Sequence, residues 1–190
     1  NKYKNEKIVI KCGGKVLIDP NLFDNFIEDI SVLYKLGLKV IIIHGGGPRI
    51  KEELAKLNIE SEFINGLRVT NKQTMEVVEK ALVDFNIEII KKLEKKNCKS
   101  EGLNVCTNNV IIVDQENKNL GFVGKPRKIF NEKINIVIDK NVIPVLSPMG
   151  KGDDDQKYNI NADTAAAAVA KSLKSRRLLL MTDVEGVYDE

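Results

Sequence analysis

The stretch Lys39-Val-Ile-Ile-Ile-His-Gly-Gly-Gly-Pro48 joins an apolar run to a glycine-rich turn and a proline. The run is short and β-branched, which is typical of a buried strand. Pro48 stands where the first residue of a helix should, because its fixed φ suits that position and its missing N–H is not needed there. The stretch therefore predicts a strand, a tight turn and a helix in succession.

The same order occurs nearer the N-terminus. Lys7–Lys11 is a β-branched run that ends at Gly13-Gly14, and apolar residues then recur at helical spacing until Gly37. A βαβα order with nearly continuous apolar strands favours a parallel sheet covered by helices on both faces. We therefore expect an α/β fold, a three-layer αβα sandwich around a central, mostly parallel sheet.

Further elements follow along the chain. Thr70 is a candidate cap for a long amphipathic helix that runs from Lys72 to about Lys96. The remaining predicted elements are a hairpin of 110–113 and 120–123, a short amphipathic element at 129–140, a strand at 142–146 whose Pro144 indicates an irregular or edge position, a charged loop at 151–157, a helix at 161–173 and a buried strand at 178–182.

Composition limits the classes of function. With 43% hydrophobic and 30% charged residues, the 190-residue chain fits a globular protein with a real core. A net charge of +3, lysines mixed with acidic residues, and the lack of Trp argue against nucleic acid as a partner. No apolar stretch is long enough to span a membrane. Cys12, Cys98 and Cys106 lack metal-type spacing, which predicts free thiols in a reducing, cytoplasmic compartment and no protein-ligated metal.

Two glycine turns carry the first candidate site residues. Lys11 just before Gly13 and Gly14 offers a cation and free N–H groups to a phosphate, although an exposed lysine at a strand end is an equal alternative. The three glycines after His44 let a ligand approach the backbone, and they match neither a Walker A loop nor a dinucleotide fingerprint. The alternative is a tight turn without a ligand. His44 itself is expected to be a buried, hydrogen-bonded core residue.

Polar residues near two helix starts add further candidates. Arg68 can pair with a carboxylate in a two-pronged geometry, but taken alone an ordinary surface ion pair is the better explanation. Asn159, Asn161 and Asp163 alternate with apolar residues, so they share one side if the segment is extended. Helix capping by Asn161 or Asp163 is the plainer explanation, and both roles can hold at one helix end.

Thr182 and Asp183 close the last apolar strand. Ligands of open α/β sheets gather at the carboxyl ends of strands, which makes these residues candidate nucleotide contacts, with a plain turn as the alternative. A strand that ends in this way normally feeds a further element. We therefore expect that the chain stops inside a domain.

Taken together, these motifs resemble the amino acid kinase family, and within it the branch that acts on N-acetyl-L-glutamate. The resemblance runs from about Lys7 to Glu190. Its motifs, in order, are Ile10-Lys-Cys-Gly-Gly14, His44-Gly-Gly-Gly-Pro48, Asn65-Gly-Leu-Arg-Val-Thr70 with Thr74-Met-Glu-Val-Val-Glu79, Tyr158-Asn-Ile-Asn-Ala-Asp-Thr164 and Thr182-Asp-Val-Glu-Gly186.

The resemblance implies ATP-dependent phosphorylation of the γ-carboxylate of N-acetyl-L-glutamate, an early step of arginine biosynthesis. It implies that Lys11 and Asp163 are catalytic, with Asp163 orienting lysines. By the same resemblance, the substrate-binding residues are Gly46, Gly47, Arg68, Asn159 and Asn161, and the phosphate- or nucleotide-binding residues are Gly13, Gly14, Thr182, Asp183 and Val184.

The resemblance also implies ATP with Mg²⁺ held mainly by its phosphates, a homodimer or hexamer, a regulatory protein as a further partner, and a cytoplasmic or plastid location. Residues 1–150 would form an acetylglutamate-binding and dimerisation lobe, and 151–190 the start of an ATP-binding lobe. The family's second catalytic lysine would lie beyond Glu190, so the 190-residue chain alone is expected to be inactive. A Gly-Lys-Asp-Gly-like turn of the family is missing from 102–109.

Two other hypotheses about the function remain. One is a sister kinase that acts on glutamate, aspartate, carbamate or UMP. The other is a non-catalytic anion-binding or regulatory module. Composition and motif spacing do not distinguish either of them from a kinase that acts on N-acetyl-L-glutamate.

Overall fold

A computed structural model of the chain describes residues 3–181. In chain order its strands and α-helices are β1 (Lys7–Cys12), α1 (Pro20–Lys35), β2 (Lys39–His44), α2 (Gly47–Lys56), β3 (Phe63–Ile64), β4 (Leu67–Arg68), α3 (Lys72–Lys95), β5 (Ser100–Leu103), β6 (Ile111–Gln115), β7 (Gly124–Ile129), α4 (Asn131–Asp139), β8 (Ile143–Leu146), β9 (Met149–Lys151), β10 (Lys157–Asn159), α5 (Ala162–Ser172) and β11 (Arg177–Met181). Short 3₁₀ turns span Gly14–Leu17 and Lys118–Leu120.

Within residues 3–181 the central sheet has five strands in the order β11-β1-β2-β8-β5, and every neighbouring pair is parallel. The predicted α/β fold with a central parallel sheet is therefore confirmed. The antiparallel pairings lie elsewhere, in a four-stranded sheet of order β10-β9-β6-β7 and in the small hairpin of β3 and β4.

Alternate residues of the central strands face opposite sides, as the period of two in a strand requires. Val9, Ile41 and Ile43 pack with α4 and α5. Ile10 and Ile42, on the other face, pack with α1 and α3. The sheet with a buried cluster and helices on each face forms the three-layer arrangement. Because both faces are buried, the sequences of the central strands are almost entirely apolar.

The sequence predicts an irregular or edge position for Pro144, but its strand lies in the interior of the sheet. Strand β8 is buried and lies between β2 and β5. Ile143 donates its N–H to Lys99 O at 2.8 Å on the β5 side, so alternation turns the nitrogen of Pro144 towards β2. Pairing with β2 begins only at Val145. An interior strand therefore accepts the proline because the missing N–H falls where no ladder bond forms.

Three other expectations need correction. The second strand of the predicted hairpin runs from Gly124 to Ile129 rather than over 120–123, because the chain first makes a 3₁₀ turn at Lys118–Leu120. A loop is present at 152–156 as predicted, but both ends of the predicted range belong to β9 and β10, which pair as a second hairpin. The last strand is predicted to be buried, yet Leu179 and Leu180 of β11 are 42% and 47% exposed among the described residues.

The cap of α3 is Asn71 and not Thr70. The Asn71 Oδ1 accepts a hydrogen bond from the Thr74 N–H at 2.8 Å, which satisfies one of the free donors of the first turn. Thr70 is fully buried instead, and its hydroxyl donates to Arg68 O at 2.8 Å. Among residues 3–181, no helix combines the length and the apolar character that crossing a membrane requires.

Replacing Asn71 by alanine should lower the free energy of unfolding by about 1 kcal/mol, because the first turn of α3 loses its side-chain acceptor. Urea unfolding of the full-length protein measures this change. Lys72→Ala is the matched control, since Lys72 is exposed at the next position, and it should stay within about 0.5 kcal/mol of the parent. Equal losses in the two variants would contradict the capping role.

Candidate active site

The two glycine turns meet at the carboxyl edge of the central sheet. Strands β1 and β2 are parallel neighbours, so Cys12 and His44 end at the same level. The N–H of Gly45 donates to Cys12 O at 2.7 Å and ties the turns together. Beside them lies a cleft of about 220 Å³, and this is where ligands of open α/β sheets are expected.

All the candidate site residues within 3–181 line this one cleft. They are Lys11, Gly13, Gly14, Gly46, Gly47, Arg68, Asn159, Asn161 and Asp163. Thr182, Asp183 and Val184 lie outside the described residues, so their nucleotide role stays a prediction. Residues 102–109, where the family's turn is missing, contribute nothing to the lining of the cleft.

Lys11 is a buried cation held by one carboxylate. Its side chain is only 10% exposed, and its Nζ lies 3.0 Å from Asp163 Oδ1. Asp163 stands in the first turn of α5, where the helix dipole favours a negative charge. The exposed-lysine alternative is therefore wrong, and the ammonium sits at a fixed place between the helix end and the first glycine turn.

Gly13 leaves room for that ammonium. A Cβ at position 13 would lie 2.5 Å from Lys11 Nζ and 2.8 Å from its Cε. The backbone of Gly13 is extended, with φ −153°, so an alanine here would act through space and not through backbone strain. A side chain at position 13 would therefore displace the end of the lysine from its place over the turn.

Gly13→Ala should displace the Lys11 ammonium and lower kcat about tenfold, because small misplacements of a charge-stabilising group are costly. The measurement is kcat of the full-length protein with saturating substrates. In the Gly13→Ala background, a further Lys11→Ala change should cost much less than it does alone, since both act on the same group. Full additivity would show that Gly13 acts independently of Lys11.

Gly46 and Gly47 begin helix α2 and differ in what surrounds them. A Cβ on Gly46 would lie 2.5 Å from Leu82 Cδ2, whereas one on Gly47 would meet nothing within 4 Å. The first N–H groups of a helix have no partner within it. The turn therefore presents backbone donors to the cleft at the positive end of a helix dipole.

Arg68 is a buried cation that has no counter-ion among residues 3–181. It is only 7% exposed, and burial lowers the pKa of its guanidinium from the ordinary value. Its Nη1 donates to Ser61 Oγ and its Nη2 to Gly47 O at 3.2 Å, while its Cζ lies 4.7 Å from the centre of the Phe63 ring. Within the described part of the chain, no carboxylate forms an ion pair with it. The surface ion-pair alternative is wrong, and a buried cation of this kind needs an anionic ligand.

A short hairpin carries Arg68. Strands β3 and β4 are joined by Asn65 and Gly66, with φ of 49° and 76°. Two successive positive φ values define the turn that suits a two-residue hairpin, and the Asn-Gly pair favours it. The hairpin was not predicted, although this pair is the signal that could have identified it.

Asn159 and Asn161 approach the cleft from the opposite side. Asn159 ends β10, and its amide lies 3.5 Å from Thr70 Oγ1. Asn161 caps α5, because its Oδ1 accepts from the Thr164 N–H at 3.0 Å. Capping occupies the oxygen of Asn161 and leaves its NH₂ group for a ligand, so both predicted roles remain compatible.

Metal binding by the protein itself has no support in this part of the chain. Between residues 3 and 181 there is no group of three His, Cys, Asp or Glu side chains that could hold a metal ion.

Sequence reasoning missed the groups that hold the site residues in place. Ser61 and Phe63 fix Arg68, and Leu82 supports Gly46. These are long-range contacts, and no local pattern indicates them. The burial of His44 was predicted and is confirmed, since the ring has no exposed surface.

The sequence of this chain is similar to a known protein family and to named members of it. The model described as "Amino acid kinase family" matches residues 6–190. The acetylglutamate kinase of Pelagibacter ubique (strain HTCC1062) is 53% identical over 188 residues, which cover 99% of this chain and 65% of that protein. The acetylglutamate kinase of Caldanaerobacter subterraneus is 41% identical over 191 residues, which cover 99% of this chain and 64% of that protein. The chain thus spans slightly less than two thirds of these relatives.

Solved structures agree in fold. The smu.665 protein of Streptococcus mutans UA159 superposes with a TM-score of 0.88 at 32% identity, covering 96% of this chain and 75% of that one. An N-acetylglutamate synthase from Neisseria gonorrhoeae, solved with coenzyme A and N-acetyl-glutamate, gives a TM-score of 0.86 at 19% identity, covering 98% of this chain and 43% of that one. The second likeness shows the shared fold alone.

Proposed function

This chain belongs to the amino acid kinase family, and from that premise we propose that the protein it forms transfers the γ-phosphoryl group of MgATP to the γ-carboxylate of N-acetyl-L-glutamate. The similarity to acetylglutamate kinases over nearly the whole chain supports this substrate. One observation carries the proposal: the Lys11–Asp163 pair lines the same cleft as Arg68, which is buried and has no ion-pair partner in the described part of the chain.

The cleft offers two separate places for negative charge. Arg68 would take a substrate carboxylate in a bidentate contact, and Asn159 and Asn161 would donate amide hydrogens to the remaining polar atoms of the acid. Lys11 and the N–H groups of the glycine turns would face the transferring phosphoryl group. Because one set of groups would bind the acid and another the phosphoryl group, the cleft supports a reaction between two anionic substrates.

The chemistry needs no protein nucleophile. A γ-carboxylate oxygen attacks the γ-phosphorus, the bond from that phosphorus to the β–γ bridging oxygen breaks, and ADP leaves. The products are the acyl phosphate and ADP, and no proton is transferred. Because both reactants are anions, catalysis consists of positioning and charge stabilisation. Lys11 supplies a positive charge, and Asp163 keeps its ammonium in one place.

The resemblance to the family also supports proposals about the two lobes, the assembly and the location of the protein. Residues 1–150 would bind the acid and support dimerisation, and 151–190 would begin the nucleotide-binding lobe, with Thr182, Asp183 and Val184 beside the nucleotide. The protein would act as a homodimer or hexamer, in the cytoplasm or a plastid, with a regulatory protein as a further partner. A further catalytic lysine would come from sequence beyond Glu190.

An assay of the full-length protein tests the substrate. ADP release is followed with MgATP and, separately, N-acetyl-L-glutamate, L-glutamate, L-aspartate, carbamate or UMP, and hydroxylamine traps any acyl phosphate as a hydroxamate. We expect ADP and hydroxamate in equal amounts with N-acetyl-L-glutamate alone. Turnover only with another acceptor would replace the proposed substrate, and ligand binding without turnover would favour a non-catalytic module.

A further inference from the structure

His44 is the single histidine of the chain and the last residue before the glycine turn. Its ring is fully buried and stands edge-on to Phe85, with ring centres 5.2 Å apart. Its Nδ1 lies 3.0 Å from Gly45 O, and its Nε2 lies 3.1 Å from Asn86 Nδ2. The proposed reaction makes no direct use of this ring.

The hydrogen-bond partners fix which ring nitrogen carries the proton. Asn86 Nδ2 also lies 2.9 Å from Val145 O, and a carbonyl can only accept, so this amide atom is the NH₂ nitrogen. Its second hydrogen points to His44 Nε2, which must therefore be unprotonated. The proton is on Nδ1, where it is donated to Gly45 O.

That bond sets the orientation of one peptide group in the cleft. Gly45 O and the Gly46 N–H belong to the same peptide, and in a trans peptide the two bonds point in opposite directions. With the carbonyl directed at the buried ring, the Gly46 N–H is directed away from that ring, and Gly46 itself lines the cleft. This N–H has no acceptor among residues 3–181.

Without the ring, little would hold this peptide in place. Glycines on both sides allow it to rotate at small conformational cost. A rotated peptide would turn a carbonyl oxygen, and not an N–H, towards a bound anion, and the contact would become repulsive. The turn therefore needs a fixed donor behind it.

We infer that His44 is a positioning residue, whose Nδ1–H holds the Gly45–Gly46 peptide so that the Gly46 N–H faces the anion in the cleft. The inference rests on the proposed function for the identity of that anion. Burial lowers the pKa of His44 to about 4, so the ring is neutral near pH 7 and keeps one donor and one acceptor. Asn86 takes part by directing the proton to Nδ1.

Two substitutions separate the donor from the bulk of the ring. His44→Asn places an amide NH₂ near the position of Nδ1 and gives up the contact to Asn86. His44→Gln keeps an acceptor near Nε2 and gives up the donor to Gly45 O. We expect His44→Gln to lower kcat about tenfold with a smaller change in KM, and His44→Asn to retain the larger share of activity, since one donor aimed at developing charge is worth at least that much.

A purely structural role predicts the opposite order, because glutamine is closer to histidine in size. Thermal unfolding of both variants identifies any loss that follows stability. Equal kcat values, or a lower value for His44→Asn, would overturn the inference.

A measurement on the parent protein decides the same point without turnover. Long-range ¹H–¹⁵N correlation spectra distinguish the two neutral tautomers, and the signal of His44 is assigned by its loss in the variants. We expect a protonated Nδ1 and a bare Nε2 at pH 7. The other tautomer, or a charged ring, overturns the inference even if the kinase assay succeeds. Failure of the parent to make acyl phosphate overturns the proposed substrate instead, and the ring spectrum still decides the orientation of the peptide.

Discussion

Replacing Lys11 by alanine should lower kcat by roughly 10²- to 10³-fold and leave the affinity for N-acetyl-L-glutamate nearly unchanged. The ammonium is buried beside the glycine turn and is held by Asp163 at 3.0 Å, so its place is fixed before substrates bind. Charge on the phosphoryl oxygens is redistributed as the reaction proceeds. A contact that strengthens at that stage raises kcat more than it lowers KM.

The experiment compares Lys11→Ala with Lys15→Ala in the full-length protein. Lys15 follows the same turn but is exposed and does not line the cleft, so its loss removes the same charge without removing the contact. Steady-state kinetics give kcat, and calorimetric titration gives the affinity for the acid. A Lys11→Ala enzyme with unchanged kcat would remove Lys11 from the mechanism.

Replacing Arg68 by alanine should raise KM for N-acetyl-L-glutamate by about 10- to 100-fold, with a smaller effect on kcat. The guanidinium is buried and lacks a carboxylate partner in the described residues, so the substrate carboxylate would be its counter-ion. Arg68→Lys should recover only part of the affinity, because an ammonium cannot form the two-pronged contact.

Arg127→Ala is the matched control for Arg68. Arg127 is a half-exposed arginine that pairs with Asp114 and Asp153 outside the cleft. Its removal changes the net charge by the same amount and should leave KM within about twofold, since surface ion pairs contribute little. Similar KM values for the two alanine variants would contradict a direct contact between Arg68 and the acid.

The sequence was sufficient for the parts of the fold that depend on local pattern. The β-branched runs at 7–11 and 39–44 predicted β1 and β2 almost to the residue, because both faces of these strands are buried. Parallel strands bring their carboxyl ends together, and Lys11 and Gly46 accordingly line the same cleft.

The remaining features depend on contacts between distant residues. Ser61 and the carbonyl of Gly47 accept hydrogen bonds from the buried Arg68, and Asn86 determines the tautomer of His44. The hairpin of β9 and β10 was not predicted, because its strands are three residues long and partly polar. They are too short to show the alternation of polar and apolar residues that predicts a strand. Local propensity contains no information about which distant group completes a hydrogen bond.

The place of β1 in the sheet has a consequence for synthesis of the chain. One edge of β1 pairs with β2, but the other pairs with β11, which begins at Arg177. At a translation rate of about 5–20 residues per second, that edge of the strand carrying Lys11 lacks its native partner for roughly ten to thirty seconds after it leaves the ribosome. An open strand edge is a template for wrong pairing. The strand that carries Lys11 is therefore completed late, and chaperone binding to the nascent chain would be most useful during this interval.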